Sequence, residues 1–137
     1  MAKPDRSLFR RGVESRDVAV MMEAFADGAV LHSPITFKPF EGKEAIARLL
    51  GILMQVFQDF RYTDELTAED GTKALIFRTR VGDRDVEGLD LIRFDDTGRI
   101  RDFTVMVRPL GRRGAAERGL VAAHGGMTSV AAARPFA

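Results

Sequence analysis

Few side chains in this sequence can do acid–base or nucleophilic chemistry, and their types narrow what that chemistry is. Cys, Trp and Asn are absent, and there are two His (His32, His124) and one Tyr (Tyr62). Without Cys there is no disulfide, thiol nucleophile, or thiolate zinc or iron–sulfur site. Without Asn there is no N-linked glycosylation site. Two imidazoles cannot make a three-histidine metal site. The available chemistry is therefore that of Asp, Glu, Arg, Ser, Thr, Tyr62 and at most two His.

Asp90 is singled out by its spacing. Over Asp85 to Phe94, alternate positions put Val86, Gly88, Asp90, Ile92 and Phe94 on one face. That face is apolar apart from Asp90. A carboxyl among Val, Ile and Phe is either buried with a partner or lines a cavity. Burial would raise its pKa, so that it can donate a proton or a hydrogen bond. The plainer alternative is an ion pair with Arg78 or Arg101, or a side chain facing water. His32 ends a short strand beside Ser33-Pro34. It offers a general base or ligand contact, against the commoner role of a strand-end residue bonded to backbone. Ser33 has no base beside it and no G-x-S-x-G around it, which argues against a hydrolase nucleophile. There is no G-x-G-x-x-G, P-loop, H-E-x-x-H or EF-hand loop. Met21, Met22 and Met54 read as core filler, and Met106 as a strand residue that packs in the core or lines a pocket.

The elements that must position these residues follow from periodicity. Pro4 to Val13 has helical spacing of Leu8, Phe9 and Val13. A second helix starts at Asp17, a good N-cap, carries Val18, Met21, Met22 and Phe25 on one face, and ends at Asp27-Gly28. Ala29 to Ser33 reads as a short strand stopped by Pro34, followed by a loop with Pro39 and Gly42. A third helix runs from Lys43 to Phe57 with Ile46, Leu49, Leu50, Leu53 and Phe57 aligned. The period then changes to two. Strands are expected over Phe60 to Glu69, Lys73 to Val81, Asp85 to Phe94 and Arg99 to Arg108, joined by turns at Asp70-Gly71, Gly82-Asp83-Arg84 and Asp95 to Gly98. This is an α+β pattern: a strongly curved sheet with helices on one face.

The chain has 137 residues, enough for one domain of ordinary size, and a net charge of +1, which argues against a nucleic-acid binder driven by bulk charge. The first residues lack the apolar core of a signal peptide, and the longest apolar helix is too short to span a bilayer, so a cytoplasmic protein that binds no membrane is expected. Residues 111–137 are rich in Ala, Gly and Arg, with four Arg against one acid. They read as an appendage to a domain of residues 1–110, mobile or set against a partner subunit.

Three segments carry a family resemblance: Phe25 to Pro34 (FADGAVLHSP), Phe40 to Ile46 (FEGKEAI) and Gly88 to Ile100 (GLDLIRFDDTGRI). With the order of elements, they resemble the SnoaL-like branch of the nuclear transport factor 2-like superfamily, whose members include ketosteroid isomerases, polyketide cyclases and limonene epoxide hydrolases. The resemblance spans about Leu8 to Leu110. It implies a cone-shaped curved mixed sheet wrapped by the N-terminal helices, an apolar pocket, a homodimer through the sheet, and chemistry that uses no metal or organic cofactor. Matched to a ketosteroid isomerase, Asp90 falls on the acid that binds the oxyanion. Phe9 stands where a Tyr is needed and Ser33 where the base is needed, so that mechanism is not expected. Val105 stands where the cyclase and epoxide-hydrolase relatives place a carboxylate. The expected site is therefore a pocket for a small hydrophobic molecule. Asp90 is its acid, His32 a replacement base, and Phe9, Leu31, Ser33, Phe57 and Met106 contact the ligand. Isomerase, cyclase or hydratase chemistry would need only proton transfer there. The alternative is a non-enzymatic dimerising or ligand-binding module with a vestigial pocket.

Overall fold

The computed structural model of the chain describes residues 5–34 and 36–109. The expected appendage over 111–137 and His124 lie outside the described residues. The elements are α1 (Leu8–Glu14), α2 (Val18–Glu23), β1 (Phe25–His32), β2 (Phe40–Glu41), α3 (Lys43–Val56), β3 (Gln58–Thr67), β4 (Lys73–Val81), β5 (Arg84–Phe94) and β6 (Ile100–Arg108). The six strands form one curved, unclosed sheet in the order β2-β1-β6-β5-β4-β3. Strands β1 and β6 run parallel, and every other neighbouring pair is antiparallel.

The meander stands where the period-two pattern puts it. Its inner face carries Leu75, Phe77, Thr79 and Val81 from β4, Val86, Asp90 and Ile92 from β5, and Ile100, Phe103 and Val105 from β6. Helix α3 covers this face with Ile46, Leu49, Leu50 and Leu53, the stripe its spacing predicts. Asp17 caps α2 by accepting a hydrogen bond from the Val20 amide (3.2 Å).

Several boundaries differ: the first helix begins at Leu8, β3 runs from Gln58 to Thr67, the expected loop around Pro39 and Gly42 holds the short strand β2, and the largest change is at the second helix. The second helix was expected to run to Asp27-Gly28, but it ends at Glu23, and β1 begins at Phe25. Phe25 is fully buried against Phe9 and Phe103, and the Ile100 amide donates to the Ala24 carbonyl (2.8 Å), drawing this stretch into the sheet. Burying an aromatic ring in the core outweighs one more turn of helix. Asp27 and Gly28 then fall at the register shift between Phe25 and Val30, an irregular stretch of strand.

Two glycines set close approaches. A Cβ on Gly12 would lie 2.7 Å from the Met21 backbone nitrogen, so its bareness lets α1 rest on α2. A Cβ on Gly88 would lie 2.1 Å from the Phe77 Cζ, so the Phe77 ring lies flat over the β5 backbone just before Asp90.

Candidate functional site

Asp90 projects from the middle of β5 into the space under the helices and is 5% exposed. Among the described residues it is not paired with an arginine. Arg78 lies on the other face, 3.2 Å from Glu87. The polar partner of Asp90 is instead the phenol of Tyr62 on β3, whose O–H donates to Asp90 Oδ2 (3.0 Å). The two residues stand on strands separated by β4, a gap of roughly 10 Å. The long phenol bridges it above Phe77.

The local backbone aims Tyr62 inward. Strand β3 is an edge with register shifts on both sides of the Arg61–Tyr62 pair of positions, and Asp59 sits in the left-handed region (φ 53°). The irregularity is pinned by Thr79, whose hydroxyl donates to the Gln58 carbonyl (2.8 Å), and by Arg80, which bonds Asp59 (2.8 Å). Bulges of this kind bend an edge strand and re-aim its side chains. The rings of Phe60, Tyr62 and Phe77 then pack together, with Phe60 and Phe77 stacked at 4.7 Å and Tyr62 edge-on to both.

Around the pair is a narrow cavity of about 30 Å³, lined by apolar side chains that include Phe9, Met54, Phe57, Phe103 and Val105. That space suits a water molecule or two. Asp90 and Tyr62 are its only polar lining among the described residues. Burial pushes the Asp90 carboxyl up to about 7, against which the Tyr62 hydrogen bond pulls only partly. Burial, with Asp90 next to it, also pushes the Tyr62 phenol well above its ordinary value. Near neutral pH the site therefore holds a neutral phenol and a carboxyl poised between its acid and base forms. Tyr62 occupies Oδ2, so the protonated carboxyl has Oδ1 to offer as a donor.

The other expected site residues divide. Phe9 and Phe57 line the cavity. Leu31 is fully buried in the core but not in the cavity wall. His32, expected as a second titratable group in the pocket, lies outside it. Alternation along β1 turns it to the opposite face from Leu31, where its Nε2 sits 3.3 Å from Asp102 Oδ2. Ser33, the next residue after β1, is likewise not in the wall. Met106 is corrected too. It is 50% exposed on the outer face, because Val105 takes the inward position beside it. Among the described residues no three His, Asp or Glu converge as a metal site.

Tyr62 was missed as a site residue. The signal was present in the register: the strands flanking Asp70-Gly71 pair Tyr62 with Phe77, on the face that also carries Asp90. The β3 irregularities and the sheet's curvature, which bring the phenol within reach, leave no mark in the periodicity.

The model of the SnoaL-like domain matches residues 6–103. The chain belongs to the SnoaL-like family, within the nuclear transport factor 2-like superfamily. This SnoaL-like protein is similar to a solved steroid delta-isomerase from Pseudomonas aeruginosa, with 37% identity over 82% of each chain and a TM-score of 0.76. It is 28% identical to an uncharacterised cystatin-like protein from Silicibacter pomeroyi, over 91% of this chain and 89% of that one, at a TM-score of 0.78. An epoxide hydrolase/cyclase-like enzyme of salinomycin pyran-ring formation shares the fold at 17% identity, over 72% of this chain and 84% of that one, at a TM-score of 0.61. No curated protein matches the chain. No helix among the described residues is long and apolar enough to cross a membrane.

Proposed function

We propose that this SnoaL-like protein binds a small, mostly apolar molecule with one carbonyl or hydroxyl oxygen. Asp90 meets that oxygen, and cofactor-free proton transfer of the isomerase, cyclase or hydratase type follows. The observation that carries this reading is a buried carboxyl with a phenol as its partner in an otherwise apolar cavity. A neutral Asp90 donates to the ligand oxygen, and an ionised one takes a proton from a neighbouring carbon. A pKa near the working pH suits a group that does both.

The steroid delta-isomerase relative supports isomerase-type chemistry. Two features argue against the full steroid reaction here. Position 33 is Ser rather than a carboxylate base, and the cavity of about 30 Å³ is far smaller than such a substrate. A ligand must displace the half-buried Met54 and Phe60 of the wall. A thermal-shift screen with compact ketones and lactones tests the proposal. Wild type is stabilised by at least one compound, and Asp90→Asn loses most of that shift. If no compound shifts the wild type, the alternative holds: a non-enzymatic module with a vestigial pocket, which the narrowness of the cavity favours.

The same proposal makes the protein a cytoplasmic homodimer through the outer sheet face. That face has a groove of about 300 Å³ lined by Ile76, Leu89, Met106 and Val107. At its rim Glu87 bonds both Arg78 and Arg108, so both charges are present for a self-complementary contact. Leu89→Lys should convert a dimer to a monomer in analytical ultracentrifugation without unfolding it. A wild type that sediments as a monomer at high concentration removes this part of the proposal.

A further inference from the structure

Outside the cavity, one cluster of charged groups touches the Asp90–Tyr62 pair. The Arg10 guanidinium of α1 lies over the Tyr62 ring, 5.3 Å from its centroid. It is fixed there by two carboxylates, Glu65 on β3 (2.8 Å) and Glu14 one turn on (3.0 Å). Glu65 is held in turn by Lys73 on β4 (2.7 Å), whose ammonium also donates to the Thr67 hydroxyl (3.1 Å). Lys73, Glu65 and Arg10 are 15%, 27% and 30% exposed in their side chains, so this chain of charges is not a loose surface arrangement.

We propose that Arg10 is the positioning residue of this pair: it clamps the Tyr62 ring so that the phenol points at Asp90. The inference rests on the reading of Asp90 and Tyr62 as the working groups. Tyr62 stands on an irregular edge strand, where backbone pairing alone fixes a ring poorly. Phe60 and Phe77 meet the ring edge-on, at 89° and 85°. The guanidinium adds a cation to this packing, which a ring with a negative face attracts. The positive charge also makes the phenol the stronger donor, so the cluster tunes Asp90 through Tyr62. Among the described residues, the charged groups near the pair are Arg10 and Glu14 from α1, Glu65 from β3 and Lys73 from β4. The cavity walls from α2 and α3 are apolar.

The chain has one Tyr and no Trp, so its intrinsic near-ultraviolet emission reports Tyr62. Two readouts separate positioning from a merely structural role: acrylamide quenching of that emission, and the NMR titration of the Asp90 carboxyl. Arg10→Met should make Tyr62 easier to quench. It should also raise the Asp90 midpoint by about half a pH unit, because the phenol's hydrogen bond to the ionised carboxyl weakens. Arg10→Lys keeps the charge and should fall between wild type and Arg10→Met, as should Glu65→Gln, which loosens one anchor. Arg10→Met that folds and matches wild type in both readouts overturns the inference. If Asp90 in the wild type titrates as an ordinary carboxyl, the reading of the site fails instead, and quenching alone still decides whether Arg10 holds the ring.

Discussion

Wild-type protein loses stability as the pH rises from about 4 to about 7, and Asp90→Asn does not. The sign follows from linkage. In the unfolded chain Asp90 releases its proton near its ordinary value of 3.8, and in the folded chain it holds the proton to about 7. Below the lower value both states are protonated and the contribution of Asp90 is fully present. Between the two values the folded state binds more protons than the unfolded one, so stability falls with pH. The shift corresponds to a loss of up to roughly 4 kcal/mol, complete once the pH exceeds the folded value. Asn has nearly the shape of the neutral acid and can accept the Tyr62 hydrogen bond, but it cannot ionise. The two proteins should therefore have similar stability near pH 4, with the variant the more stable at pH 8. Carboxylates held below their usual range, such as Glu65 with its hydrogen bonds from Lys73 and Arg10, tilt both curves alike at acid pH. Urea denaturation of both proteins across this range is the check. Parallel curves would mean that Asp90 is not buried as a carboxyl in the folded protein.

The second large effect concerns the floor of the cavity. Phe77 is 1% exposed and packs against Phe57, Phe60 and Tyr62. Phe77→Ala should cost about 3–5 kcal/mol, the usual range for a buried ring. Gly88→Ala should cost about 1–3 kcal/mol for a different reason: the new methyl occupies the place of the Phe77 ring, which must shift to make room. If that contact is the cause, the two changes are not additive. Gly88→Ala made in a Phe77→Ala background should cost little, because the ring it collides with is gone. A double-mutant cycle measured by chemical denaturation reads this coupling. Full additivity would show that the Gly88 requirement has another origin.

Much of this arrangement was legible in the sequence. The strict alternation of β4 and β5 and the glycine turns beside them fix which of their residues face inward, and that is how Asp90 is found. The stripe on α3 is equally plain, because one face of fourteen residues repeats at helical spacing. What could not be read depends on contacts distant in sequence. Phe25 fits a helical stripe, and only burial against Phe9 and Phe103 turns it into a strand residue. Met106 and Val105 are both apolar, so composition does not say which faces in. His32 alternates away from Leu31, but Ser33-Pro34 left its direction open at the strand end. Tyr62 reaches Asp90 across an intervening strand, through an edge whose irregular register no periodicity records. Nor does a sequence show that a face rich in Phe and Leu closes down to a cavity of about 30 Å³.

The central claim is that Asp90 is a carboxyl in an apolar cavity, neutral in about half of the molecules near pH 7. The most direct test is an NMR titration of isotope-labelled Asp carboxyl resonances, with the Asp90 signal assigned by its absence in Asp90→Asn. The account predicts one Asp resonance with a midpoint near 7, moving further up in Tyr62→Phe, where the hydrogen bond that stabilises the ionised form is lost. An Asp90 resonance that titrates near 4 and is indifferent to Tyr62 would contradict it.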